Sequence, residues 1–332
     1  MKNFRTYAEL IDIMKDRGLA IYDDEAADAA LRRYGYHRLG GYRYPFRQLL
    51  PPHLVDRDAR SFRLDDYMPG ASLDHVMELY SFDDKLRLVC LGGVLDFEVR
   101  LRATMAHVLA ERSPVAHLRR DHLDPTACDR PAHGGSSTKL RAWQDKARKA
   151  VEDARPADDY LIHLQKVEPL ADTPIWSFVE VVNCGSLPFL LDLMLIEDKR
   201  AVASAFGVNK PAQFITFARS ISDLRNVCAH GSRLFNRSMK RDIKIRRQSG
   251  VGPLMTHLLD REDGSRRVYP VMASLAYMLR SHRDGTNWHM TAKTQVRKLP
   301  TVELSKGASP LFTPESSMGF PDNWEDLDLW NM

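Results

Sequence analysis

The six residues Arg225-Asn226-Val227-Cys228-Ala229-His230 hold the side chains best suited to chemistry. Arginine, asparagine and histidine are the parts that metal-free RNA cleavage needs. In that reaction a ribose 2′-OH attacks the adjacent phosphorus. It requires a general base near neutrality, and histidine has a reference pKa of about 6.5. It requires a cation over the phosphorane, and a guanidinium fits that geometry. It also requires a proton on the leaving 5′ oxygen. One histidine cannot comfortably take one proton and give another at once. The chemistry therefore predicts a composite site in which a second copy of the chain supplies the second histidine.

The element that must position these groups is a helix. The segment 213–237 reads as one long helix, with Phe214, Phe217, Ile221, Leu224 and Cys228 on one side. With about 100° per residue and Arg225 as zero, that cluster centres near about 300°, while Asn226 lies near about 100° and His230 near about 140°. His230 then faces away from its helix's own core and Arg225 sits at the edge. Cys228 belongs to the apolar cluster and reads as packing. Spacing alone is weak, because an arginine five residues before a histidine also occurs at Arg32/His37, Arg102/His107 and Arg112/His117. Arg112/His117 straddles Pro114, and Arg32/His37 runs into a glycine-rich turn. Arg102/His107 lacks a polar residue after the arginine. Glu98 and Arg102 stand at i and i+4 with the glutamate first, the favourable order for a helical ion pair. Either of them could orient the 225–230 helix from a neighbouring one.

The strongest helical period covers 72–112, with Ser72 as N-cap and Val76, Tyr80, Leu86, Val89, Gly93, Phe97, Leu101, Met105 and Val108 on a broad face. Gly92 and Gly93 lower its helicity and permit close approach of another helix. The stretch is either one helix of roughly 60 Å or two that kink near the glycines. Residues 34–46, YGYHRLGGYRYPF, read as a packed loop or short helical turn with aromatic anchors. Residues 113–156, around HGGSS (133–137), read as an inserted loop followed by an exposed helix. Further helices are expected over 158–168, from Ile175 to about Gly185, over 187–208 and over 268–283. The tail from 299 should pack back through Trp324 and Trp330, since a free tail would leave them in water. Strand alternation is nearly absent, so the expected fold is all-α: a helical bundle over 71–298, extra N-terminal helices in 1–70 and a packed tail in 299–332.

Composition sets the outer bounds. The 332 residues are 44% hydrophobic and 28% charged, which excludes global disorder. Four cysteines without a CxxC pair argue against a zinc ribbon or a disulfide scaffold. No HExxH, P-loop or GxGxxG is present, so no metal and no cofactor are expected. No apolar run is long enough for a bilayer span, and the start MKNFRTYAEL does not read as a secretory leader; the expected setting is the cytoplasm. The net charge of +4 is modest, but arginine outnumbers lysine and is the better bidentate donor to phosphate. The basic run 240–248 offers Lys240, Arg241, Lys244, Arg246 and Arg247 as RNA contacts beyond His230.

Five stretches resemble the Abi-like family of bacterial abortive-infection proteins, the AbiD/AbiF group. They are YHRLGGYRYPF (36–46), PGASLDHVMELYSFDDKLR (69–87) leading into DFEVRLRA (96–103), PIWSFVEVVNCGSL (174–187), LRNVCAHGSRLFNR (224–237) and MGFPDNWEDLDLW (318–330). That family is grouped with HEPN domains, helical bundles marked by arginine, a polar residue, three more residues and histidine. Arg225, Asn226 and His230 fit this pattern. The resemblance implies a HEPN-like bundle and a dimeric, metal-independent endoribonuclease of phage defence. It also implies RNA as partner, a small structured non-coding RNA among the candidates. It extends to Glu98, Arg102, Asn236 and Arg237, which lie in family motifs. Asp84 departs from the family, where a basic residue is common, and should alter a local salt bridge. The alternative reading is a non-catalytic protein that holds RNA with the same residues.

Overall fold

The computed structural model describes all residues except 1–2, 57–61, 136, 168–171, 260, 262–264, 282–285 and 332. The chain is predominantly α-helical, as the sequence pattern requires. Helices α1 (Tyr7–Asp16) and α2 (Asp24–Tyr34) start at side-chain caps from Thr6 and Asp23, which satisfy backbone donors left open at a helix start. The aromatic segment then forms a helix of its own, α3 (Tyr36–Arg43), closed by a 3-10 turn at Tyr44–Phe46. Its Leu39, Tyr42 and Phe46 are buried, so these aromatic groups plug the core.

Helix α4 (Leu73–Ala110) is the axis of the molecule. Ser72 caps it, its hydroxyl accepting from the His75 amide at 3.3 Å. It runs unbroken through both glycines, which settles the choice between one helix and two. Gly93 is needed for packing: a Cβ there would stand 2.5 Å from the indole of Trp288. The same indole N–H donates to the Val89 carbonyl at 2.7 Å.

Strands β1 (Arg47–Leu49) and β2 (Arg63–Tyr67) form a small antiparallel pair that the sequence did not announce. Three and five residues are too few for an alternation to stand out. The inserted region holds α5 (Pro125–Asp129) and α6 (Lys139–Ala154). Helix α6 is not the exposed helix expected: Trp143, Ala147 and Val151 are buried, and the Trp143 indole donates to the His117 carbonyl at 2.7 Å. Helix α7 (Asp159–Val167) follows, then α8 (Ile175–Val181), which ends before Gly185. The stretch 187–208 is two helices, α9 (Leu187–Leu193) and α10 (Ile196–Ala205), broken at Met194-Leu195. Helices α11 (Pro211–Ala229), α12 (Val268–Arg280), α13 (Trp288–Val296) and α14 (Pro314–Met318) complete the fold. Helix α4 packs against α3, α8, α10, α11, α12 and α13. The tail returns to this core, with Trp324 and Trp330 buried. The four cysteines are free and buried. No helix among the described residues is long and apolar enough to cross a membrane.

Two histidines, one buried and one half-buried, tie stability to pH. His117 is fully buried and stacked on Phe178 with 4.6 Å between ring centroids; burial pushes its pKa down to about 3. Burial also pushes His257 down to about 4. The unfolded chain, with histidine pKa near about 6.5, binds more protons than the folded one below that pH, so stability falls on acidification toward the folded values. His117→Phe keeps the ring and removes the titration. Relative to wild type it should gain roughly 2 kcal/mol between about pH 7 and about pH 5 in urea unfolding. A pH-independent difference would show that His117 is not held neutral.

Candidate functional site

Helix α11 begins with Pro211 at its first turn, where the missing N–H costs nothing. Phe214, Phe217, Ile221, Leu224 and Cys228 are all buried, as the period requires. The helix ends earlier than expected. The Ser232 amide donates to the Val227 carbonyl at 2.9 Å and the Gly231 amide to the Cys228 carbonyl at 3.0 Å. These are the two bonds of a Schellman closure, with Gly231 at φ +60 supplying the left-handed residue. His230 is therefore the C-cap and not an interior residue, and residues 231–237 are not helical.

This termination shapes the site. Asn226 and His230 are exposed, and Arg225 is half-buried with its Nε buried and without a partner among the described residues. Helix α4 runs antiparallel beside α11. Glu98 and Arg102 of α4 form an ion pair, shielded and not at the surface, with side-chain exposures of 9% and 12%. Glu98 Oε2 and Arg102 Nη1 have no partner among the described residues. Cys184, in the 3-10 turn Cys184–Ser186, lies between the two helices. Burial first, then the nearby Glu98, push its thiol up to about 12, while Ser222 and Arg225 pull the other way. Cys184 thus remains a neutral thiol that touches the surroundings of both Glu98 and Arg225. Cys90 and Cys228 form the next rung of the α4–α11 interface: hydrogen bonding with Cys228, then burial, push the Cys90 thiol up.

The other end of the motif is clamped by a group the sequence reading passed over. Asp83 is fully buried. Its carboxylate accepts from the Leu234 amide at 3.0 Å, the Phe235 amide at 2.6 Å, the Tyr42 hydroxyl at 2.6 Å and Arg87 Nη1 at 2.6 Å. Burial, then the Asp83 charge, push the Tyr42 hydroxyl up. Asp84, the departure from the family pattern, pairs with Arg87 from the solvent side at 2.6 Å. The only sequence signal for Asp83 was its i, i+4 relation to Arg87.

Cys184 senses both Glu98 and Arg225, which sets Arg225 near the Glu98–Arg102 pair, while His230 stands exposed at the C-cap of α11. No described side-chain bond joins His230 to the other three. Asn236 and Arg237 belong to the clamped turn. Asn236 has φ +50 and accepts from Arg267 Nη1 at 2.5 Å; Arg237 Nη1 donates to the Arg233 carbonyl at 3.2 Å. In the basic run, Ile243 and Ile245 are buried while Lys240, Lys244, Arg246 and Arg247 are exposed. Arg241 is not a free cation: its Nε lies 2.9 Å from Asp223, close enough for an ion pair though not aligned as a hydrogen bond. Of the competing pairs, His117 is buried, Arg112 is bound to Asp198, and Arg102 is bound to Glu98. No three histidine, cysteine, aspartate or glutamate side chains converge as metal ligands among the described residues.

The model of the Abi-like protein family matches residues 29–236. The chain belongs to the Abi-like protein family. The match spans the Abi-like chain from within α2 to Asn236, and so covers Glu98, Arg102, Arg225, Asn226 and His230. The basic run and the tail lie beyond it. No curated protein and no solved structure matches the chain.

Proposed function

We propose that this Abi-like protein is a metal-independent HEPN-type endoribonuclease that acts in phage defence by abortive infection. The observation that carries the reading is the end of α11. It offers an exposed His230 beside an exposed Asn226, with a half-buried Arg225 whose Nε has no partner among the described residues. Arg225 serves as the cation over the phosphorane, His230 as the proton-transfer group, and Asn226 as a polar contact to the phosphate or ribose. Glu98 and Arg102 position Arg225 across the α4–α11 interface. The products are a 2′,3′-cyclic phosphate and a 5′-OH.

The second histidine comes from a second copy of the chain. Helix α4 leaves an apolar stripe in water: Leu88 is 65% exposed, Leu95 48% and Val99 67%, with Gly92 and Ala103 exposed between and beyond them. The steps of four, three, four and four residues are those of a helix-pairing seam. The stripe adjoins the side of α4 that carries Glu98 and Arg102, and a two-fold axis through it places two copies of one surface together.

The test is incubation of purified protein with single-stranded RNA in EDTA. Wild type should yield cyclic-phosphate ends, and His230→Ala and Arg225→Ala should each lose at least about a hundredfold in rate while remaining folded. Equal cleavage by wild type and His230→Ala defeats the proposal. Arginines without carboxylate partners near the motif favour one other reading, a protein that holds RNA without cutting it. Tight RNA binding with no turnover would select it.

A further inference from the structure

Residues 231–237 turn back across α3 immediately after His230, and four arginines gather on this turn. Arg38 of α3 donates from Nη1 to the Gly231 carbonyl at 2.7 Å. Arg233 lies against α3, where Gly41 makes room for it: a Cβ at Gly41 would stand 3.3 Å from Arg233 Nε. Arg237 donates to the Arg233 carbonyl, and Arg267 to the Asn236 side chain. All the acceptors that these side chains use are neutral. The carboxylate nearest Arg233 is Asp83, and both its oxygens are already engaged by Tyr42, Arg87, Leu234 and Phe235. Among the described residues none of the four arginines forms an ion pair.

A half-buried guanidinium without a counter-ion is unfavourable. Burial pulls the Arg233 pKa down; the Asp83 charge and Tyr42 oppose it, and the charges of Arg237 and Arg267 add to it. Among the described residues these cations have no carboxylate of their own, and the one that acts on Arg233, Asp83, is already engaged by Arg87. Each guanidinium carries five N–H donors in a fixed fork, most of them unused here, and that fork matches phosphate oxygens. The antiparallel α4–α11 pair sets the order of the elements. Cys228 lies at the level of Cys90 and Leu234 at that of Asp83, so the chain past His230 runs toward the N-terminal half of α4. The arginine cluster is thus the next station past His230 along the same pair.

We propose that Arg38, Arg233, Arg237 and Arg267 form a phosphate-binding site that holds the RNA backbone beside the scissile phosphate. The site rests on the RNA reading above but not on cleavage. It gives affinity without base selection, since phosphate contacts carry no sequence information.

The experiment is fluorescence anisotropy of a labelled single-stranded RNA in EDTA over a series of KCl concentrations. The uncleaving His230→Ala protein is the reference. Adding Arg233→Gln and Arg237→Gln should weaken binding about tenfold per arginine for every RNA sequence. The slope of log affinity against log salt should flatten by about 0.7 per lost contact. The exposed Arg38→Gln, made alone with an unchanged melting curve, should show one such step. Unaltered affinity and slope in Arg38→Gln and in the double variant, while His230→Ala itself binds RNA, overturns this site and leaves the RNA reading standing. Failure of the reference protein to bind any RNA overturns both. Displacement of the RNA by equimolar ATP would assign the cluster to a free nucleotide and overturn the assignment to a polymer backbone.

Discussion

Replacing Asp83 with alanine is expected to destabilise the protein by about 3–5 kcal/mol, because it leaves three buried donors without an acceptor and takes from a buried cation one of its two carboxylates. Three donors lose their acceptor at once, the amides of Leu234 and Phe235 and the Tyr42 hydroxyl, while Arg87 Nη1 loses a charged acceptor and keeps the Tyr42 hydroxyl. None of them can turn to water, since Arg87 and Tyr42 are themselves buried. Asparagine does not rescue the site. Whichever carboxylate oxygen becomes an amide nitrogen would point a donor at another donor. Asp84→Ala is the matched control. Asp84 pairs with the same arginine but is half-exposed, so its loss should cost no more than about 1 kcal/mol. Urea unfolding of the three variants measures the difference, and hydrogen exchange at Leu234 and Phe235 locates it. A cost below about 1 kcal/mol for Asp83→Ala would mean that the turn after His230 is held by something else.

The contrast between Asp83 and Glu98 shows what the sequence could carry. Glu98 and Arg102 are four residues apart on a regular helix, so their pairing is a local matter and is legible. Asp83 is read by an amide 151 residues away, and no local pattern encodes that meeting. The apolar face of α4 was legible for the same local reason, as was the burial of Phe214 through Cys228. The end of α11 was misread because the apolar period does not stop there. Phe235 follows Cys228 by seven residues, two helical turns, and stays in phase although the chain has left the helix. Only Gly231 marked the stop. Helix α6 was misread in the opposite sense. Its buried stripe of Trp143, Ala147 and Val151 is one residue wide among charges, too narrow to distinguish from a solvated helix. Cys184 gave no signal, because its place between Glu98 and Arg225 comes from the fold and not from its neighbours in sequence.

The exposed stripe on α4 yields the second large effect. Charged substitutions at Leu95 and Val99 should break the proposed homodimer and the proposed reaction together. Both side chains stand in water in the single chain, at 48% and 67% exposure, so Leu95→Glu and Val99→Glu leave the bundle core untouched. Their folding stability should stay within about 1 kcal/mol of wild type. In the dimer each glutamate would lie near its own copy across the axis, and like charges removed from water oppose pairing. Sedimentation should then report a monomer at concentrations where wild type is a dimer. RNA cleavage should fall at least about a hundredfold, because one chain has one His230 and the reaction needs both a proton acceptor and a proton donor. His230→Ala should lose cleavage but stay dimeric, which separates the two requirements. A monomeric Val99→Glu that still cleaves at the wild-type rate would show that a single chain completes the site. A variant that remains dimeric would move the two-fold axis to another surface. Cleavage restored by mixing monomerised Val99→Glu with His230→Ala would be inconsistent with the seam, since the pair it rebuilds holds one histidine and a charged stripe.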